Sequence, residues 1–316
     1  MILGASNAFA SVSGTHILLR LDGDELISRR LEAVRDQIRM LLRDVQPRID
    51  YSGLAASGRA VQVRIDDVYQ VEAAKSALKT LTDPVAGIQE MALDGSEPGL
   101  LKVTMTDAGV KSRTSVALKQ SIEIINNRLH DLGVANAVAE QADEDGILVQ
   151  APGVADLQKL GNILARPGRL SFQLVDTSMT ADEAVNGRPP AGATLIYSAD
   201  NPPVPYLIEN RVIVAGKNVM DAQAATNSGG GEPVVAIRLD SRGTERFKWA
   251  TTQNIGKPFA VILDDHVISA PIIREPIEHG TVQISGNFTA ESANELALLF
   301  RTGALPARLT IVEEAR

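Results

Sequence analysis

The order of strand-like and helix-like segments between residues 16 and 176 constrains the fold more than any other feature of the chain. A strand is followed by an amphipathic helix, two strands, a second helix and a closing strand, and the series then occurs again. This β-α-β-β-α-β order is typical of the ferredoxin-like fold. The sequence therefore predicts an α+β protein whose base contains two ferredoxin-like units, over residues 16–100 and 101–176, with no visible sequence repeat between them.

The first unit is predicted from hydrophobic periodicity, which is about 3.6 residues in a helix and 2 in a strand. Asp24–Val45 is an amphipathic helix whose apolar face contains Leu31, Val34, Ile38 and Leu41, and Val71–Leu81 is a second helix. The predicted strands are His16–Asp22, a weak one at Ile49–Tyr51, Ala60–Asp66 and Ile88–Leu93.

The second unit has a long helix around the segment SIEIINNRLHDLGV, residues 121–134. Its apolar residues are spaced by four and three, which predicts one buried stripe rather than a groove for a partner; they are Leu118, Ile122, Ile125, Leu129 and Leu132. Arg128 is assigned to the polar sides, and Gly133 is expected to end the helix because glycine accepts the left-handed conformation. The other predicted elements are a strand at Leu101–Thr106, a hairpin across Ala142–Gly146, a helix at Asp156–Ala165 and a strand at Arg169–Asp176.

A head subdomain of α+β type is predicted over residues 177–286. Its first part, Thr177–Glu232, is rich in Pro, Gly, Ala and Asn, so we expect short apolar pieces there and no regular structure before Pro233. A strand, a helix over Arg242–Gln253, two strands joined by Asp264-Asp265 and a strand at Thr281–Ser285 then follow. Residues 287–316 are predicted to form a helix capped by Thr289, ended by Gly303, and a last strand.

Composition excludes several classes of protein. The net charge is −8, which argues against a nucleic-acid-binding surface. The chain has no cysteine, which excludes disulfides and thiolate chemistry, and it contains no run of eighteen apolar residues that would span a bilayer.

The residues that could support chemistry do not converge on one site. Asp264, Asp265 and His266 are typical metal ligands, but adjacent residues in a hairpin rarely reach one ion, so a turn is favoured. The loop Ser228–Pro233 lacks the lysine and the helix of a phosphate-binding loop. The remaining candidates are scattered or adjacent in strands: His16, His130, His279, Glu144, Asp66-Asp67 and Glu313-Glu314. We therefore expect no cofactor, no metal and no enzymatic activity.

Six segments in one order carry a family resemblance: SIEIINNRLHDLGV, ILVQAPG, FQLVD, IGKPFAVILDDHVISAPIIREPI, ISGNFT and LALLFRTGALPARLTIVEE. Together they resemble the SecD family of the bacterial SecDF accessory complex, strongly over residues 100–316 and more loosely over 16–100. The family begins this domain with an Asp-Leu-Arg/Gln-Gly-Gly element, of which only Gly14 is present. Residues 1–15 are therefore read as either a divergent N-terminal segment or a stretch that is not native.

The resemblance implies a function. SecD is similar to resistance-nodulation-division exporters, and its first periplasmic domain, with a base and a mobile head, is thought to engage unfolded preprotein emerging from SecYEG. The implied partners are SecF, SecYEG, YajC and preprotein, and the implied location is the periplasmic side of the bacterial inner membrane, where the full-length protein is anchored and uses proton-motive force. The alternatives that remain open are a soluble α+β hydrolase and a periplasmic solute-binding protein.

A mobile head would need hinges, and the sequence suggests two. Asp176 and Thr177 lie where the chain enters the head, and Gly286 and Asn287 lie where it returns. These small or polar residues follow predicted strands and would absorb dihedral changes. The alternative is that they form ordinary turns between rigidly packed units.

Overall fold

The computed structural model describes residues 14–227 and 230–315, which fold into two compact units. Unit 1 contains the described residues up to Ile122, then Ala139–Gln150 and the chain from Pro306 onward. Unit 2 contains Glu123–Val138 and Ala151–Leu305.

One antiparallel sheet of unit 1 is built from consecutive segments. Its strands run in the order β2-β3-β5-β4 and are β2 (Tyr51–Ser57), β3 (Ala60–Ile65), β4 (Met91–Asp94) and β5 (Leu100–Met105). Two helices, α1 (Gly23–Asp44) and α2 (Val71–Lys79), share a hydrophobic core with this sheet. The Asp22 carboxylate accepts a hydrogen bond from the Glu25 backbone at 2.9 Å and so caps the start of α1.

The second sheet of unit 1 joins the two ends of the described chain. Its order is β16-β1-β7-β6, and its strands are β1 (His16–Leu21), β6 (Val138–Gln141), β7 (Gly146–Gln150) and β16 (Leu309–Ala315). β1 is antiparallel to both β7 and β16. Numbered in chain order, these strands are arranged 4-1-3-2, which is the strand order of a ferredoxin-like sheet.

The α+β class is confirmed, but the assignment of strands to two successive ferredoxin-like units is wrong. The β5 strand, predicted to open the second unit, pairs with β3 and β4. The strand β8 (Leu170–Val175), predicted to close that unit, lies in a sheet of unit 2. The ferredoxin-like order instead arises from strands at distant positions in the sequence, because periodicity shows that a segment is a strand but not which strand it pairs with.

A five-stranded antiparallel sheet organises unit 2. Its order is β14-β13-β8-β10-β9, and the strands besides β8 are β9 (Ala193–Tyr197), β10 (Pro205–Ala215), β13 (Phe259–Leu263) and β14 (His266–Ser269). A bridge between Ser198 and Val267 brings the two edges of this sheet together. Both β9 and the eleven-residue β10 lie within the segment predicted to lack regular structure, so that prediction is wrong.

A second sheet and four helices make up most of the rest of unit 2. A three-stranded sheet has the order β11-β12-β15, and its strands are β11 (Val219–Thr226), β12 (Pro233–Leu239) and β15 (Thr281–Ser285). The helices are α4 (Leu157–Ala165), α5 (Ala181–Asn186), α6 (Ser241–Gln253) and α7 (Ala290–Thr302). Phe172, Phe247 and Phe259 make aromatic contacts between the five-stranded sheet and α6, with ring centroids 5.4–6.2 Å apart.

The long helix α3 (Asp107–Asp131) contributes to both units. Leu118, Ile125 and Leu129 are buried as the stripe predicts, and Gly133 ends the helix with a φ of 67°. Leu132, however, is 37% exposed, so the stripe ends one turn earlier than predicted.

Candidate functional site

The Asp264-Asp265 pair forms the two-residue turn that the sequence favours. Both residues have positive φ, 49° and 66°, and Leu263 pairs with His266. The Nδ1 atom of His266 lies 2.9 Å from the Asp264 carbonyl, and the ring is exposed. Within residues 14–227 and 230–315, no three His, Cys, Asp or Glu side chains come close enough to hold a metal ion.

The other candidates of the sequence lie apart from one another. His16 is buried and bonds the Gly14 carbonyl at 2.8 Å, whereas the His130 side chain is 90% exposed, as predicted. Glu144 is exposed in the turn between β6 and β7. The glycine-rich loop connects β11 to β12, and its residues 228 and 229 lie outside the described residues.

The four predicted hinge residues all lie within unit 2. The Asp176 backbone donates to the Leu207 carbonyl at 2.8 Å, and its carboxylate accepts from the Ser178 backbone at 2.8 Å. Hydrogen bonds from the side chain and the backbone of Ser178 lower the pKa of Asp176. A Cβ atom on Gly286 would lie 2.9 Å from the Phe288 ring. Movement at these positions stays a prediction, and none of them coincides with a boundary between the two compact units.

The prediction that Arg128 lies on a polar side of α3 is wrong. Its side chain is completely buried. Its Nη1 atom donates to the carbonyls of Ile163, Leu164 and Arg166 at 3.2, 2.8 and 2.6 Å, and its Nη2 atom donates to that of Gly303 at 3.1 Å. A single guanidinium thus caps the C-terminal ends of α4 and α7, where carbonyl groups lack helical partners.

The surroundings of Arg128 keep it charged. Burial lowers its pKa to about 10, and the nearby negative charge of Asp264 opposes that effect. Gly168, with a φ of 74°, permits the close approach, because a Cβ atom there would lie 3.0 Å from the Arg128 Nη2. The spacing Ser121, Ile125, Arg128 is four then three, and this was the available signal that Arg128 shares the buried face.

Unit 1 contains a cluster of charged side chains with a carboxylate at its centre, that of Glu90. The Glu90 carboxylate accepts two hydrogen bonds of 2.9 Å from Arg30, one on each oxygen, and a further one from Arg113. Burial opposes ionisation of Glu90, but the Arg113 and Arg30 hydrogen bonds outweigh it and lower its pKa to about 2. These two arginines belong to α1 and α3, so the carboxylate ties both helices to the chain that precedes β4.

Unit 2 contains a groove between α6 and β10, which we call the Trp249 groove. Its volume is about 650 Å³, within the range of about 300–1,000 Å³ that is usual for binding pockets. It is lined by Leu174, Glu209, Arg211, Val212, Ile213, Glu245, Arg246, Trp249, Ala250 and Asn254. Apolar and aromatic surface therefore alternates with two acidic and two basic side chains.

Trp249 is the largest apolar side chain of this groove. It is the only tryptophan of the chain, and it is 57% exposed, whereas the neighbouring Ala250 is buried. The Arg211 guanidinium lies over its ring, 5.4 Å from the centroid, which is a cation–π contact. The helix and the strand thus meet across the groove through these two side chains.

The comparisons with known proteins agree with the resemblance seen in the sequence. Two family models match, "SecDF, P1 head subdomain" over residues 193–307 and "Protein translocase subunit SecDF, P1 domain, N-terminal" over residues 118–177. The SecD subunit of Rickettsia bellii is 31% identical over 95% of this chain, and the SecDF subunit of Brucella abortus is 37% identical over 65% of it. The chain spans 56% of the first relative's length and 27% of the second's.

Solved SecDF structures have a similar fold. One, described as "a membrane component SecDF that enhances protein export", matches with a TM-score of 0.50 and 27% identity over 63% of this chain and 92% of that chain. SecDF in its "Super-membrane-facing form" matches with a TM-score of 0.53 and 21% identity over 93% of this chain and 35% of that chain, which supports the fold alone. No helix in the described part of the chain is both long and apolar enough to cross a bilayer. The chain belongs to the SecD family of protein translocase subunits and corresponds to the P1 domain of that family.

Proposed function

We propose that this chain is a non-enzymatic domain that binds unfolded preprotein on the periplasmic side of the bacterial inner membrane. The observation that carries the proposal is the Trp249 groove, which lies almost entirely within the segment matched by the head-subdomain model. Its exposed aromatic and aliphatic surface suits apolar side chains, and its mixed charges suit segments of either sign. Such a surface favours sequence-tolerant contacts of modest affinity.

The partners proposed for the full-length subunit are SecF, SecYEG and YajC, with energy from the proton-motive force. The chain has 316 residues, and its matched relatives are longer, so a proton pathway through the membrane would be formed by parts of the protein outside this chain. The role of the present domain would be to hold a translocating polypeptide while those parts move.

Photocrosslinking in the complete membrane complex tests the proposal. A photoreactive amino acid replaces Val212, which is 46% exposed in the groove, or Tyr69, which is 92% exposed in unit 1. With a preprotein stalled during export, the Val212 position should yield the stronger crosslink. Equal crosslinking at Tyr69, or no crosslink at Val212 when export is active, would contradict binding at the groove.

The same experiment separates the alternatives. A hydrolase of peptide bonds would cleave the stalled preprotein into smaller products. A hydrolase of another substrate class, like a solute-binding protein, would show no preprotein crosslink at any position. An uncoupler that abolishes the proton-motive force should change the yield of the Val212 crosslink, whereas an unchanged yield would exclude coupling at this site.

A further inference from the structure

The strand that borders the Trp249 groove presents its edge to it. Arg211, Val212 and Ile213 are consecutive, and all three line the groove. In a regular strand successive side chains point to opposite faces of the sheet, so three in a row do not border one cavity unless the strand bends or shows its edge.

The pairing of β10 explains this geometry. β9 pairs with β10 only from Pro205 to Glu209. On the other side, the pairing with β8 shifts register between Ile208 and Val212 and again between Val212 and Val214. Register shifts of this kind are typical of β-bulges, which bend a strand and leave residues without partners in the ladder.

One side-chain and one backbone hydrogen bond satisfy part of the disrupted ladder. The Gln173 amide donates to the Glu209 carbonyl at 2.8 Å, and the Asn210 backbone donates to the Gly192 carbonyl at 2.8 Å. Arg211 and Ile213 are matched to no residue of β8 or β9 in the described part of the chain. The row that β9 occupies beside the first half of β10 is therefore vacant beside the second half.

We infer that an extended segment of polypeptide adds to β10 as a strand beside residues 211–215 and seats an apolar or aromatic side chain on Trp249. This inference rests on the proposed function and gives its mode of recognition. A vacant strand edge offers backbone donors and acceptors, and the ligand that pairs with such an edge is another extended backbone. Main-chain pairing does not depend on sequence, and the Trp249 surface adds a preference for a large apolar residue.

The charges around the groove agree with this occupant. Glu209 and Arg211 on β10 face Glu245 and Arg246 on α6. The lining therefore has no net charge. It neither attracts nor repels a polypeptide segment on account of the net charge of that segment. A ligand with one fixed charge, such as a phosphate or a carboxylate, would find an acidic side chain of the groove beside each basic one.

Peptide titration with the 316-residue chain tests the inference, and Trp249 supplies the signal as the only tryptophan. The probe is a ten-residue Ser/Gly peptide with a central Val-Phe-Val sequence and no tryptophan. Its matched control is the same peptide with N-methyl groups on alternate central residues, which removes backbone donors and keeps the side chains. We expect the parent peptide to change the Trp249 emission and the N-methylated peptide to bind about tenfold more weakly or worse.

Two variants locate the binding. Trp249→Ala, followed by anisotropy of a fluorescein-labelled peptide, should weaken binding about tenfold. Ile255→Ala is the control, because Ile255 is 54% exposed close to α6 but does not line the groove, and its affinity should stay within twofold of wild type. Far-UV circular dichroism confirms that both variants are folded.

Three other outcomes would overturn strand addition at the Trp249 groove. Equal affinity for the parent and N-methylated peptides would overturn strand addition, while preprotein crosslinks at Val212 would leave the proposed function standing. Dimerisation of the chain that Trp249→Ala abolishes, measured by sedimentation, would assign the edge to a second copy and overturn the inference. Peptide binding that leaves the Trp249 emission unchanged and persists in Trp249→Ala would place the site elsewhere and overturn it as well.

Discussion

Each of the two compact units holds one charge partly or wholly out of solvent: Glu90 is half-buried in unit 1, and Arg128 is buried in unit 2. The two charges are stabilised in different ways. In unit 1 the Glu90 carboxylate is held by the side chains of Arg30 and Arg113, which are 20% and 37% exposed. In unit 2 the Arg128 guanidinium is completely buried and is held mainly by backbone carbonyls. Side chains that lose a partner rotate into water, whereas carbonyls at helix ends stay where the fold places them. The two charges should therefore differ in how much stability depends on them.

The largest effect is expected at Arg128. Replacing it by methionine (Arg128→Met) leaves the carbonyls at the ends of α4 and α7 buried without donors and should lower the free energy of unfolding of unit 2 by about 3–5 kcal/mol. Urea unfolding followed by Trp249 fluorescence measures this, because the only tryptophan of the chain lies in unit 2. Lysine at this position keeps the charge but has one nitrogen, so Arg128→Lys should recover only part of the loss.

A neighbouring position on the same helix provides the control. His130→Ala removes a side chain that is 90% exposed, and the free energy of unfolding should stay within about 0.5 kcal/mol of wild type. If Arg128→Met unfolded at the same urea concentration as His130→Ala, the guanidinium would not be the cap of the two helices.

A smaller effect is expected at Glu90. Replacing the carboxylate by a neutral amide (Glu90→Gln) leaves Arg30 and Arg113 without a counter-charge, but both reach solvent, so the loss should be about 2 kcal/mol. Hydrogen exchange of peptides from α1 and from the first half of α3 reports on unit 1 separately. Glu97→Gln, at a pair with Arg64 whose side chains are 61% and 51% exposed, is the control and should leave this exchange unchanged. Equal protection in the two variants would contradict a structural role for Glu90.

Acid should weaken unit 1 through Glu90 and leave the Arg128 cluster charged. The folded-state pKa of Glu90 is about 2, below its ordinary value of 4.5, so its contribution is present above about pH 4.5 and is lost as the pH falls toward 2. At pH 3 the loss should be about 1 kcal/mol after allowance for solvent screening. Arg128, with a pKa of about 10, stays protonated throughout this range. Comparing the free energy of unfolding of wild type and Glu90→Gln at pH 6 and pH 3 measures the contribution of Glu90. An equal loss of stability in both proteins would assign the acid sensitivity to other groups.

Local features of this fold were predictable from the sequence. The periodicity of Asp24–Val45 predicted α1 closely, and the positive φ needed at Asp264 and Asp265 followed from two strand-like flanks separated by two residues. Thr289 was predicted to cap α7, and its hydroxyl accepts from the Ser292 backbone at 3.1 Å. Each of these depends on residues within a few positions of one another.

Pairing between distant segments was not predictable in the same way. β1 pairs with β16 across almost the whole chain, and nothing in the residues of His16–Leu21 identifies that partner. The length of β10 was missed because Pro205 begins the strand, where proline is tolerated, and does not interrupt it. The Trp249 groove depends on bulges in β10, and a bulge is a mismatch between two strands that neither strand shows alone.

The smallest effect is expected for an ion pair on the surface of unit 2. Lys159 on α4 and Glu291 on α7 form an ion pair, and their side chains are 54% and 66% exposed. This pair joins the same two helices that Arg128 caps, but its side chains are exposed, whereas that of Arg128 is buried. Water and salt screen exposed charges, so Lys159→Met should leave the urea midpoint of unfolding almost unchanged, and 0.5 M salt should remove any remaining difference. Trp249-detected unfolding at low and high salt provides the comparison with Arg128→Met. A large drop in the urea midpoint that persists in high salt would mean that the surface pair, and not the buried guanidinium, holds α4 and α7 together.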